Sequence, residues 1–178
     1  MVAEGSKKEI GCEIEYNILI PLVCALILAT IFRFWVLMPV RIVGESMAPS
    51  LSEGCWVLAD SQAYKDRLPE RGDIVLISRK ALTKGYIVKR VIGLPGERIE
   101  IRDGILYVDD LAMPEEYILG GVIDDFGPVF VESGYFVLGD NYYASKDSRH
   151  WEDPYVEESE LRGKVEYQVF PAIRSLYK

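Results

Sequence analysis

A chain of 178 residues with a formal net charge of −8 has room for one modest domain and an appendage. Its acidic balance excludes nucleic acid as the partner, because neutralising phosphates needs clustered lysine and arginine. The cysteines, Cys12, Cys24 and Cys55, are odd in number and form no CxxC pair, which sets aside a zinc site and a disulfide framework.

In chain order, the first feature is apolar. From Ile18 to Phe32 the run ILIPLVCALILATIF carries no charge, and its apolar character continues to Val40, broken only by Arg33. A helix of about 20 mostly apolar residues crosses a bilayer. Residues 17–37 are therefore expected to form a transmembrane signal-anchor helix behind a tail at 1–16. Pro21 falls in its first turn or so, where proline is tolerated. Arg33 lies near the far end, where a long side chain can snorkel, and Trp35 suits an interfacial belt. A buried core helix is the first alternative, opposed by apolarity on every face. A cleavable signal peptide is the second, opposed by the absence of a small-x-small site after the run. The flanking charges do not orient the span, since Lys7 and Lys8 balance Arg33 and Arg41.

The remainder, 38–178, is expected to be one β domain of closed or sandwiched sheets. Short runs rich in Val and Ile read as strands at 55–59, 73–78 and 86–93. RIEIRDGILYVDD reads as a hairpin turning at Asp103-Gly104. Further strands are expected at 134–141 and at 164–171, the last stopped by Pro171. Residues 109–130 carry acids, glycines and prolines and read as an excursion.

Three stretches carry the chemistry. VGESMAPSLSEG (43–54) presents Ser46 between Gly44 and Pro49, the setting of a nucleophile on a shaped loop. An activated serine needs a base, and the usual one is histidine. The single histidine, His150, sits in SRHWEDP beside bulky neighbours. YIVKRVIG offers another base. Alternation puts Ile87, Lys89 and Val91 on one face and Val88, Arg90 and Ile92 on the other, so one cation faces inward or lies at a strand edge. Burial disfavours the ammonium form, and a neutral lysine can accept a serine proton. A solvated edge charge is the ordinary alternative for such a lysine. The third stretch, GDNYYASKDSRHW (139–151), is either an Asx-rich turn or a polar scaffold. There Ser145 and Ser148 offer hydroxyls, and Asp140 and Asp147 can pair with Arg149.

Together these stretches resemble the type I signal peptidases, membrane-bound serine/lysine proteases that remove signal peptides. PVRIVGESMAPSL resembles the nucleophile box S-M-x-P-[ST]-L, and RGDIVLI the R-G-D-[IV]-V box. YIVKRVIGLPGE resembles the lysine box, GDNYYASKDSR the G-D-N-x-x-x-S-x-D-S-R box, and LRGKV the family's ending. The likeness runs from about residue 28 to 165. It implies Ser46 as nucleophile and Lys89 as general base. It implies that Ser145 hydrogen-bonds that lysine, that Asp147 with Arg149 braces the site, and that Asp140 joins the same polar network. Met47 is implied as a packing partner of the serine, and Ile42, Leu51 and Val88 as lining for the small residue before the cut. The implied fold is a β-sheet domain with an open cleft near a bilayer. One departure is Gly44, where many relatives carry a serine whose hydroxyl helps hold the oxyanion. The Ser46 N–H remains as one donor, and a backbone group or water takes the place of the other.

The resemblance further implies secretory precursors bearing signal peptides as substrates, the lipid bilayer as a partner, and no metal or cofactor. The substrate is exposed on the trans side. The expected arrangement is thus a single-pass plasma-membrane protein with a cytoplasmic N-terminus and an extracytoplasmic catalytic domain. From Val40 to Ser46 the chain can extend at most about 20 Å, which keeps the nucleophile near the membrane surface. Two other classes compete. A self-cleaving repressor also uses a serine/lysine pair, but would carry a helix-turn-helix where this chain has its apolar run. A membrane-anchored β domain that binds peptides without cutting them is favoured by Gly44 alone.

Overall fold

The computed structural model describes residues 17–31, 36–114, 117 and 124–177. The chain divides into two compact units, one ending at Leu37 and the other running from Met38 to Lys178. In the first unit, residues 17–31 form helix α1. Its large apolar side chains are exposed on successive turns, Ile18, Leu22, Leu26 and Ile31 among them. Among the described residues no helix is long and apolar enough to cross a membrane. The expected tail at 1–16, and Arg33 and Trp35 of the expected span, lie outside the described residues. Leu37, placed at the end of that span by its hydropathy, already belongs to a strand.

The second unit is built from short antiparallel strands. In chain order they are β1 (Leu37–Arg41), β2 (Trp56–Asp60), β3 (Ile74–Ile77), β4 (Ile87–Gly93), β5 (Arg98–Arg102) and β6 (Ile105–Val108). There follow β7 (Leu111–Ala112), β8 (Phe126–Phe130), β9 (Tyr135–Leu138), β10 (Tyr155–Val156), β11 (Leu161–Phe170) and β12 (Arg174–Ser175). The larger sheet has the order β1-β2-β11-β3-β4-β9-β10, with β12 paired to β11, and the smaller has the order β7-β6-β5-β8. The expected β-dominated domain is therefore observed.

The local reasons are those legible in the chain. β3 and β9 are buried at every residue, as inner strands reading as continuous apolar runs should be. β5 alternates between half-buried and buried positions, the pattern of a strand with one face on the core. The β5–β6 hairpin turns through Asp103 and Gly104, both at positive φ (50° and 75°), which is what a tight hairpin turn demands and what Asp-Gly tolerates. The stretch 109–130 is not wholly an excursion. Its described end forms β8, which pairs with β5, and Phe126 packs against Phe136 of β9 with ring centroids 5.6 Å apart. Residues 115–116 and 118–123 of that stretch lie outside the described residues.

Three apolar clusters hold the unit together. One gathers Ile42, Met47, Leu51, Val57, Ile74, Leu76 and Val165 beneath the loop that carries Ser46. A second joins β5 and β6 to β9 through Ile99, Leu106 and Phe136. The third, on the sheet between β3, β4 and β9, includes Val75, Val91 and Val137. β4 thus lies inside the larger sheet, paired to β3 on one side and β9 on the other.

Candidate active site

Ser46 sits in the loop between β1 and β2. The loop is closed at its base by two backbone bonds, Ile42 N–H to Cys55 O and Gly54 N–H to Ile42 O, both 2.9 Å. Inside it, Leu51 N–H donates to Met47 O at 2.7 Å, and Met47 and Leu51 are driven into the core at 1% and 0% exposure. This anchoring turns the serine outward. Gly44, two residues earlier, adopts φ +83°. A Cβ built there would meet nothing within 4 Å, so the space would accept a side chain and the backbone would not. The departure from a serine at this position is therefore a conformational one.

Lys89 lies opposite, on inner strand β4, cross-strand from Val75. It is buried, at 3% exposure, so the solvated-edge alternative does not apply. Its Nζ donates to Ser46 Oγ at 2.7 Å. Burial pushes the ammonium pKa down from 10.5 to about 8; Asp147 and Asp140 pull it back up in part, and Arg149 presses it down further. A lysine so placed is neutral often enough near physiological pH to accept a hydroxyl proton.

The loop 139–149 supplies the surrounding charge. Asp147 is fully buried and pairs with Arg149, Nε to Oδ1 at 2.8 Å and Nη2 to Oδ2 at 3.0 Å. Burial alone would raise this carboxyl, but the Arg149 guanidinium, helped by the Ser145 hydroxyl and the Gly139 N–H, outweighs it and holds Asp147 below its ordinary value. Asp147 Oδ2 also accepts the Gly139 N–H at 3.0 Å. Asp140 pairs with Arg90 and not with Arg149: Arg90 Nη2 and Nε reach its two oxygens at 2.6 and 2.8 Å. Arg90 also donates to Gly72 O at 2.9 Å and to Ser50 Oγ at 3.3 Å. The alternation that sends Lys89 to Ser46 therefore sends Arg90 into a second buried ion pair.

Other expected positions divide. Met47 is buried in the apolar cluster that includes Ile42, Leu51 and Ile74. Ile42 and Val88 line a cleft of about 320 Å³ that opens onto Ser46 and Lys89, together with Val40, Thr83 and Tyr86. Leu51 does not line it; at 0% exposure it belongs to the core. Ser145 is buried and its hydroxyl lies close enough to Asp147 to help lower that carboxyl, while the expected hydrogen bond to Lys89 is not found among the described residues. His150 is half exposed, with Nδ1 3.7 Å from Asp147 Oδ1.

Sequence reasoning missed three supports. Gly139 is one: a Cβ there would fall 2.4 Å from Ser46 O and 2.2 Å from Ser145 Oγ, so only glycine lets the two loops touch. Asn141 is another, its backbone N–H donating to Ser46 O at 3.0 Å. Arg90 is the third, and its place beside Lys89 in the same strand was the only local signal for it.

Comparison with known proteins assigns the chain to a family. The model of the family described as signal peptidase, peptidase S26, matches residues 16–170. The chain is 35% identical over 161 residues to a probable signal peptidase I-1 of Synechocystis sp., covering 86% of this chain and 81% of that protein. It is 33% identical over 177 residues to signal peptidase I T of Bacillus subtilis, covering 93% and 90%. It is 34% identical over 138 residues to the chloroplastic thylakoidal processing peptidase 1 of Arabidopsis thaliana, covering 71% and 41%. With a family match that extends over most of its length and includes the Ser46 loop, β4 and the 139–149 loop, the chain belongs to the signal peptidase family, peptidase S26, and is a serine-type peptidase.

Proposed function

We propose that the protein is a membrane-anchored signal peptidase I that cuts signal peptides from secretory precursors after small-x-small sites, with Ser46 as nucleophile and Lys89 as general base. The observation that carries this reading is the 2.7 Å contact between Lys89 Nζ and Ser46 Oγ, made by a lysine 3% exposed. The extended precursor segment lies in the cleft as an added strand, its small side chain toward Ile42 and Val88. Ser46 Oγ attacks the carbonyl carbon of that residue while neutral Lys89 takes the hydroxyl proton. The oxyanion accepts the Ser46 N–H. Collapse of the tetrahedral intermediate breaks the C–N bond, and Lys89 returns the proton to the leaving amine. Water, deprotonated by the same lysine, then adds to the ester carbonyl, and as the C–O bond to Ser46 breaks Lys89 returns that proton to Oγ, releasing the carboxylic acid product.

Asp147, Arg149 and Asp140 set the field around Lys89, and Ser145 stands beside Asp147 at the edge of that field. The apolar run at 17–37 anchors the chain in the bilayer, with the N-terminus cytoplasmic and residues 38–178 extracytoplasmic. The exposed apolar side chains of α1 support the anchor. The signal peptidase names of relatives from Synechocystis sp. and Bacillus subtilis support signal-peptide cleavage as the activity.

The test is processing of a precursor with an Ala-x-Ala site by the purified full chain in detergent. Ser46→Ala and Lys89→Arg should both lose activity, the second because arginine stays protonated. Turnover near the wild-type rate in either variant would remove that residue from its role. A periplasm-dependent reporter fused after Lys178 should be active; a cytoplasmic C-terminus would refute the topology.

A further inference from the structure

The loop bearing Ser46 is held at its far end by a residue from the end of the chain, and the geometry points to Arg174 as the positioning residue that sets the nucleophile against Lys89. Arg174 Nη2 donates to the backbone oxygen of Ser50 at 2.5 Å. Ser50 stands four residues after the nucleophile, and Leu51 N–H closes the intervening turn onto Met47 O. A displacement at Ser50 is therefore passed to Ser46 through one tight turn and not lost along a slack loop.

The guanidinium is itself held. Gln168, buried at 6% exposure, accepts from Arg174 Nε and Nη2 at 3.2 and 2.9 Å through its Oε1. Gln168 and Arg174 are register partners where β12 pairs with β11. Beyond Arg174 the strand is pinned twice more. Leu176 donates its N–H to Glu166 O at 3.0 Å and packs on the cluster beneath the serine loop, and Tyr177 OH accepts the Ile74 N–H at 2.7 Å. A planar guanidinium oriented by two bonds loses little freedom on making a third, which makes Arg174 a rigid strut although it lies at the surface. Arg90 grips the same residue from inside, through Ser50 Oγ. The serine is thus braced at three points: Asn141 at its own carbonyl, Arg90 at the Ser50 hydroxyl and Arg174 at the Ser50 carbonyl.

The inference rests on the Ser46–Lys89 reading and extends it. A misplacement of about 1 Å at a reacting atom costs on the order of a hundredfold in rate, so loss of one strut should appear in turnover and not in substrate affinity. The experiment uses the full chain in detergent micelles and a precursor peptide with an Ala-x-Ala site. Arg174→Met should lower kcat by about tenfold or more, with KM within about twofold and the melting temperature close to wild type. Arg174→Lys, which keeps the charge but has no planar fork for Gln168 to orient, should be impaired almost as much. Gln168→Leu, which frees the guanidinium, should lower kcat in the same way, and the double variant with Arg174→Met should be no worse than Arg174→Met alone. Unchanged kcat in Arg174→Met, a loss that follows the melting temperature, or Arg174→Lys as active as wild type would each overturn the strut. Ser46→Ala, assayed alongside, separates the two levels. If it retains activity, the nucleophile assignment falls; if it is inactive while Arg174→Met is fully active, the strut alone falls.

Discussion

Replacing Lys89 by methionine should abolish activity and yet make the folded protein more stable at neutral pH. The buried amine is held at a pKa of about 8 against an ordinary 10.5, chiefly by burial. At about 1.4 kcal/mol for each tenfold change in the proton equilibrium, that displacement amounts to about 3 kcal/mol. The sign follows from proton linkage. Below pH 8 the lysine is charged in both states, and the folded state bears the whole cost of burying the charge. Between about pH 8 and 10.5 the unfolded chain binds more protons, so wild-type stability rises with pH. Above about 10.5 the lysine is neutral in both states and the cost is gone. Methionine fills a similar volume with no charge to bury, so the variant should exceed the wild type by about 3 kcal/mol at pH 7. That excess should shrink to near zero by about pH 10.5. Urea unfolding of both full-length proteins in the same mild detergent, followed by tryptophan fluorescence across this range, measures the difference directly. A variant less stable than wild type at pH 7, or an excess that does not change with pH, would refute the reasoning that burial tunes this lysine.

The same lysine fixes the pH dependence of catalysis: kcat/KM for a precursor peptide should climb with pH along a limb with its midpoint near 8, and a flat profile from pH 6 to 9 would oppose Lys89 as the base. Arg90→Ala should be strongly destabilising although Arg90 faces away from Lys89, because it strands Asp140, 2% exposed, without its partner; breaking such a buried pair costs about 3–5 kcal/mol, readable as a lower urea midpoint. Gly139→Ala should lose both stability, by about 1–3 kcal/mol as overpacking does, and most activity, since its Cβ would press on the Ser46 carbonyl at 2.4 Å; normal kcat in a folded Gly139→Ala protein would show that the contact of the two loops is not needed.

What could be read from the chain alone was what neighbouring residues decide. Alternation and β-branched runs located β3, β4, β5 and β6, because side-chain direction in a strand follows from the residue next door. Asp103-Gly104 announced its hairpin because positive φ at adjacent positions restricts the choice of residue. Short motifs located Ser46, Lys89 and the 139–149 loop and pointed to the family. Period two stated that Lys89 and Arg90 face opposite ways, but not which of them would be desolvated against a serine and which would pair with a carboxylate. That depended on β4 lying inside the sheet between β3 and β9, a matter of strand order that no local pattern encodes. The partners of the site come from far apart in the chain: Lys89 and Ser46 are 43 residues apart, Arg90 and Asp140 are 50 apart, and Arg174 and Ser50 are 124 apart. For the same reason the core position of Leu51, the pairing of β8 with β5 and the contact that forbids a side chain at Gly139 emerged only from the tertiary structure. Each is a matter of which surfaces meet once loops close, and the free energy that settles it comes from burial summed over the whole domain and not from the propensities of the residues involved.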